Sequence, residues 1–102
     1  MIESREDLRA KLVAGNIPEY MHGGVERYLF DRIPPGSFLL AVLENDLVGA
    51  YAKADVHNSA ALFDWTQFLY SEMPVRAWGG PDAVSAWLSQ TDNQQSKEND
   101  DE

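Results

Sequence analysis

The sequence predicts an all-α domain, a compact bundle of five to six short helices, followed by a disordered acidic tail. Three observations favour this class. Apolar residues recur at three- and four-residue spacing in several segments, proline and glycine separate those segments, and no segment alternates apolar and polar residues as a half-buried strand does. The 102 residues, of which 44% are hydrophobic, suffice for one small domain with a packed core.

The first helix is predicted from its capping residues. Ser4 can accept a hydrogen bond from the first turn, and Asp7 at the third helical position completes an arrangement that resembles a capping box. Leu8 and Leu12 then form an apolar face at i, i+4, and Gly15 ends the helix.

A single turn and a second helix follow. Pro18 suits a first helical position, and the pair Gly23-Gly24 would cost roughly 2 kcal/mol inside a helix. We therefore expect one turn at 18–22 and a new helix from about Gly24, which ends before Pro34. Its apolar stripe consists of Val25, Tyr28, Leu29 and Ile33.

The middle of the chain is the most apolar part. Residues 38–43 are predicted to form the central buried helix, with a buried strand as the alternative, because six apolar residues reveal no period. Asn45 or Asp46 begins the next helix. Asp55 or Asn58 caps another, unless the two run on as one.

The strongest periodic pattern lies between residues 61 and 73, and Pro74 ends it. A loop passes through Trp78 before Pro81 opens the last helix. Trp65 and Trp87 lie on apolar helix faces, so we assign both to the core. The apolar residues that carry these two patterns are Ala61, Leu62, Trp65, Phe68, Leu69 and Met73, then Val84, Trp87 and Leu88.

Charge divides the chain into a domain, residues 1–91, and a tail, residues 92–102. The tail has five acids against Lys97 and no aliphatic or aromatic residue to bury, which predicts disorder. The domain carries twelve acids and seven bases, and the whole chain has a net charge of −9.

Composition excludes several classes of function. The chain has no cysteine, so disulfides and thiolate metal sites are excluded. An acidic surface disfavours direct nucleic-acid binding. No apolar run approaches the roughly 20 residues of a membrane span, and the acidic start is unlike a secretory leader. We predict a soluble protein of the cytoplasm.

Few residues suggest catalysis or metal binding. Glu19-x-x-His22 followed by Glu26 resembles half of a carboxylate–histidine metal site, but the motif occurs once and glycines interrupt it. His57 lies between Asp55 and Ser59, too close in sequence to align a catalytic triad, so helix capping explains that carboxylate better. We predict no catalytic residue, no metal, no cofactor and no enzymatic activity.

Exposed carboxylates and aromatic residues suggest a surface that binds a protein. Tryptophan and arginine are enriched at interface hot spots, and carboxylates favour a basic partner, including one that itself binds nucleic acid. The predicted partner-binding residues are Glu19, Tyr20, Glu26, Asp31, Tyr70, Arg76 and Trp78.

One set of short motifs supports the same function. They are IPPGSFL at 33–39, AVL at 41–43, NDL at 45–47, Ala54-Asp55 with Asn58, Leu69-Tyr70 with Pro74, and Trp78-Gly79. In this order they resemble small accessory proteins of bacteriophages, prophages and mobile elements, over about residues 20–88. Ala77 stands where the similar proteins often have cysteine, which argues against a thiol function.

The resemblance implies an accessory protein that acts inside a bacterial cell by binding and altering, most simply inhibiting, a host protein. It brings no active-site residues. The alternative is a structural or assembly protein that self-associates, for example as a homodimer, in which the acidic residues serve solubility alone.

Overall fold

A computed structural model describes the backbone of residues 2–100 and the side chains of residues 2–90. The helices are α1 (Arg5–Ala14), α2 (His22–Asp31), α3 (Ser37–Leu43), α4 (Leu47–Lys53), α5 (Val56–Ala60), α6 (Leu62–Glu72) and α7 (Pro81–Asp100). Short 3₁₀ helices cover Glu19–Met21 and Val75–Ala77. Residues 2–100 contain no strand, so the helical class is confirmed. The strand alternative for residues 38–43 is wrong.

Within residues 2–100 the α-helices number seven, one more than the upper bound of the prediction. The chain breaks at Ala54, whose backbone is extended (φ −77°, ψ 140°), and Asp55 starts a new helix there. The Asp55 carboxylate accepts the Asn58 backbone N–H at 2.8 Å. Because this cap satisfies an N–H group that no helical carbonyl can reach, α5 starts separately from α4.

Two other helices begin at capping residues that the sequence indicates. The Ser4 hydroxyl accepts the Asp7 N–H at 3.0 Å, and the Asp7 carboxylate accepts the N–H of Glu3 in return. The Asp46 carboxylate accepts the Gly49 N–H at 2.9 Å and starts α4. These short polar side chains therefore set where α1 and α4 begin.

α2 begins two residues before the predicted start. The 3₁₀ helix Glu19–Met21 leads directly into His22, so Gly23 and Gly24 lie in the first turn of α2. The N–H groups of a first turn have no partner inside the helix, so glycine costs less there than in the middle.

The core is centred on two aromatic side chains with buried polar atoms. Trp65 donates its indole N–H to Asn58 Oδ1 at 3.1 Å, and the Phe38 ring packs edge-on against Trp65 at 5.7 Å between centroids. Tyr28 donates its hydroxyl to the Ala77 carbonyl at 2.6 Å. Other fully buried side chains are Leu8, Leu12, Val25, Leu43 and Val84. The apolar faces predicted for the first, second and last helices thus meet in one core, except that Ile33 follows the end of α2 and is exposed.

Polar contacts fasten the segment before α7. The Gly79 N–H donates to the Leu43 carbonyl at 2.8 Å, and Gly79 adopts φ +116°, which favours glycine. Trp87 donates its indole N–H to the Tyr28 carbonyl at 3.1 Å, and the Arg32 guanidinium lies 4.0 Å from the centre of the Trp87 ring. These contacts fix Trp78 at the end of α3.

The predicted acidic tail, residues 92–102, lies outside the residues whose side chains the structure describes, and its disorder stays a prediction. Across the part of the chain that is described, no helix combines the length and the apolar character needed to cross a bilayer.

Candidate functional site

An open groove runs between α4 and α6. Its cavity volume is about 250 Å³. The apolar lining comes from Leu47 and Ala50 of α4, from Leu62, Leu69 and Tyr70 of α6, and from Trp78, and the lining also includes the buried side chains of Val42 and Trp65. We call this feature the α4–α6 groove.

The groove stays open because α4 packs mainly on α3 and not along α6. α6 has eleven residues and spans about 16 Å, whereas the seven residues of α4 span about 10 Å. The apolar stripe of α6 is also wide: Trp65 is fully buried, while Tyr70 at one margin is 84% exposed. Part of the stripe is thus left without a covering element.

Several large apolar side chains of α4 and α6 are exposed, and two of them, Leu47 and Tyr70, line the groove. Leu47 and Tyr51 lie one turn apart on α4, and each is 63% exposed. Val48 beside them and Phe63 at the start of α6 are exposed as well. Isolated exposed apolar residues are ordinary, but a group of them beside an apolar groove indicates an interaction surface.

Trp78 differs from the other two tryptophans. It packs against the core and is only partly buried. Its indole nitrogen is buried and has no hydrogen-bond partner within the described part of the chain, whereas Trp65 and Trp87 both donate. A buried donor without an acceptor is uncommon in proteins. The buried hydrogen-bond donor at the rim of the groove therefore lacks a partner among the described residues, whereas those of Trp65 and Trp87 have one.

Asp46 is the charged residue among those that line the groove. Its side chain is exposed and accepts the Gly49 N–H at the start of α4. The lining includes no histidine, lysine or arginine from residues 2–90. The groove can therefore bury apolar groups beside one negative charge, but it does not assemble an acid–base pair.

A second, shallower cleft contains two of the predicted partner-binding residues. Glu19, Tyr20, His57 and Asp64 line it. Tyr20 donates its hydroxyl to the Asp55 carboxylate, which raises the pKa of Tyr20 to about 12. The N–H of the α5 cap, and secondly the Tyr20 hydroxyl, lower the pKa of Asp55. Because Asp55 serves the cap and the tyrosine, its lone pairs are largely used within the domain.

Glu26 and Asp31 lie on a different face and are bound to arginines. Arg5 reaches Glu26 at 3.0 Å and Asp31 at 2.6 Å, and Arg9 binds Glu26 at 2.9 Å. Hydrogen bonds from Arg9 and Arg5 lower the pKa of Glu26 to about 2. The Arg5 guanidinium also lies 5.1 Å from the centre of the Phe30 ring. We call this surface the α1–α2 ion-pair face.

The predicted partner-binding residues therefore fall on separate surfaces. Tyr70 and Trp78 line the α4–α6 groove, Glu19 and Tyr20 line the shallow cleft, and Glu26 and Asp31 belong to the ion-pair face. Arg76 is exposed on the 3₁₀ helix Val75–Ala77, outside the groove lining.

Sequence reasoning missed Leu47 and Leu62 as site residues. The signal that could have found Leu47 is the i, i+4 apolar pair that it forms with Tyr51 on a short helix. For Leu62 no comparable signal exists, because its exposure depends on how far α4 extends along α6.

The residues of the weak metal motif are used in other contacts. His22 Nε2 lies 2.8 Å from the Ile17 carbonyl oxygen, and Glu26 is bound to two arginines. Among residues 2–90, no three His, Asp or Glu side chains are grouped so that they could hold a metal ion. Asp55 caps α5, as the capping interpretation predicts.

Comparisons of the chain with protein-family models, with curated proteins and with solved structures found no match. The function is therefore inferred from the geometry of its surface.

Proposed function

We propose that the protein is a non-enzymatic binding module of phage type that docks on a host protein in the bacterial cytoplasm and inhibits it. The observation that carries the proposal is the α4–α6 groove, an apolar surface that the fold leaves uncovered, with Leu47 and Tyr70 exposed at its two walls. Apolar patches of this kind on small proteins commonly mark sites of protein contact.

The size of the groove favours side chains of a protein over a small molecule. Pockets for small molecules usually enclose about 300–1,000 Å³ and bury most of the ligand. The groove encloses about 250 Å³ and is open along its length. It suits a few apolar side chains that project from a partner surface.

The charge of the chain supports a role in association. A net charge of −9 attracts a basic partner over several ångströms and speeds the encounter, while burial of apolar surface supplies most of the affinity. Glu26 and Asp31 add little to the negative electrostatic potential around the domain, because Arg5 and Arg9 are paired with them.

A second candidate function is self-association as a structural or assembly protein. It is favoured by the exposed side chains Leu47 and Tyr70 in the groove lining and by exposed Tyr51, one turn from Leu47 on α4. A two-fold dimer needs such a self-complementary patch.

The test of the proposal is affinity capture from the natural host with a matched pair of variants, Leu47→Asp and Val56→Asp. Both residues are exposed, by 63% and 75%, and both are the first residue of a short helix that an aspartate caps. Acidic residues are well tolerated at that position. Of the two, Leu47 lines the groove.

We expect one host protein to be retained by the unmodified protein and by the Val56→Asp variant, and to be lost with Leu47→Asp. The activity of that host protein should fall when the unmodified protein is added. Equal capture by both variants would show that the groove is not the binding surface. A concentration-dependent dimer in sedimentation, with no captured partner, would support the second candidate instead.

A further inference from the structure

We infer that the α4–α6 groove takes a short, positively charged amphipathic helix of the partner protein. The inference rests on the proposed function and names the chemistry of the partner.

The shape of the groove matches two turns of a helix. The groove wall from Leu62 to Tyr70 follows α6 for about 12 Å, which is the rise of eight residues. An amphipathic helix laid along this wall presents apolar anchors at i, i+3 or i+4, and i+7 over the same distance. Residues 2–100 contain no strand, so the described fold offers no sheet edge to which an extended peptide could add.

The volume of the groove sets the number of anchors. A cavity of about 250 Å³ with apolar walls accepts two or three large aliphatic or aromatic side chains and leaves the rest of a bound helix outside. The remaining side chains of that helix face Asp46 and the solvent around it. Those positions determine which charge the partner prefers.

Charge complementarity selects a basic helix. The whole chain carries a charge of −9, and Asp46 in the groove lining forms none of the ion pairs found among the described side chains. Lysine or arginine on the flanks of the bound helix would meet this field favourably. A second copy of the chain also carries a charge of −9, so two copies would repel each other and a basic partner is the better occupant.

The experiment uses three synthetic peptides with the full-length protein. The first has leucines at i, i+3, i+4 and i+7 with lysines on the other face. The second replaces the lysines with glutamates, and the third keeps the first composition in a scrambled order without an apolar stripe. Binding is measured by calorimetry for the unmodified protein and for Leu47→Ser and Val56→Ser, which leave the net charge unchanged.

We expect the lysine peptide to bind at least about tenfold more tightly than either other peptide, and the Leu47→Ser change to weaken it about tenfold. Val56→Ser should leave its affinity unchanged. Equal binding of the glutamate peptide would overturn the charge assignment, and equal binding of the scrambled peptide would overturn the helical one. A dimer in sedimentation that Leu47→Ser abolishes would make a second copy the occupant. The capture experiment above decides the proposed function separately, since it depends on no peptide.

Discussion

The α1–α2 ion-pair face and the α4–α6 groove differ in whether their surface side chains have partners within the domain. On the first, Arg5 and Arg9 bind Glu26 and Asp31, and Arg5 covers the Phe30 ring. On the second, Leu47 and Tyr70 remain exposed beside a groove. The charged face is paired within the chain, whereas the apolar face stays exposed, and we propose that a partner protein covers it.

The difference teaches that acidic residues read from a sequence can already be paired within the fold, so they do not by themselves mark a binding surface. Glu26 and Asp31 belong to the sequence-predicted surface because carboxylates favour basic partners. In the fold they already have basic partners, and binding another protein there would first require breaking those ion pairs. Binding in the groove would break none of the ion pairs among the described side chains, because a partner there would displace only water from apolar side chains.

The largest change in the free energy of unfolding is expected for a substitution at Trp65, the buried side chain at the floor of the groove. Trp65→Ala removes a fully buried ring and leaves Asn58 without its donor, so the free energy of unfolding should fall by about 3–5 kcal/mol. Tyr70→Ala, on the same helix but exposed, should change it by no more than about 0.5 kcal/mol. Urea titrations followed by circular dichroism measure both. Similar losses for the two variants would mean that the groove wall is part of the folding core.

A smaller change in the free energy of unfolding is expected at the hydrogen bond that joins α2 to the segment before Trp78. Tyr28→Phe deletes the hydrogen bond to the Ala77 carbonyl and leaves that carbonyl unpaired, which should cost about 1–3 kcal/mol. The same urea titration measures it, with Tyr51→Phe as an exposed control. If both changes are neutral, the Tyr28 hydroxyl does not anchor the groove rim.

The smallest change in stability is expected on the ion-pair face, and it depends on pH. The folded-state pKa of Glu26 is about 2, below its ordinary value of 4.5, so its contribution is complete above pH 4.5 and is lost as the pH falls toward 2. The Glu26→Gln variant should lose less stability over that interval than the unmodified protein. Added salt should reduce the difference between them.

Thermal unfolding between pH 5.5 and 2.5 measures this difference, with Glu19→Gln as the control outside the ion pairs. Parallel pH profiles for the unmodified protein and Glu26→Gln would contradict the ion-pair account of this face.

The sequence predicts local features better than the site. Ser4, Asp46 and Asp55 are capping residues whose chemistry is local, and each starts a helix as their residue types indicate. The helix over residues 38–43 could not be distinguished from a strand, because a short apolar run has no readable period. The tertiary contacts around it settle that choice.

The site depends on relations between elements that no local pattern contains. The pairing of Arg5 with Asp31 joins residues 26 positions apart, and it follows from the packing of α1 on α2. The groove arises because α4 packs mainly on α3 and leaves part of α6 uncovered. Trp78 and Tyr70 were selected for their residue types, but their common position could be known only from the fold.

Hydrogen exchange on the complex with the captured host protein tests the central claim most directly. Amide exchange should slow along α4 and α6, at residues 47–53 and 62–72, and stay unchanged along α2, at residues 22–31. Slower exchange confined to α2, with none on α4 and α6, would contradict the claim that the uncovered apolar groove is the surface that binds.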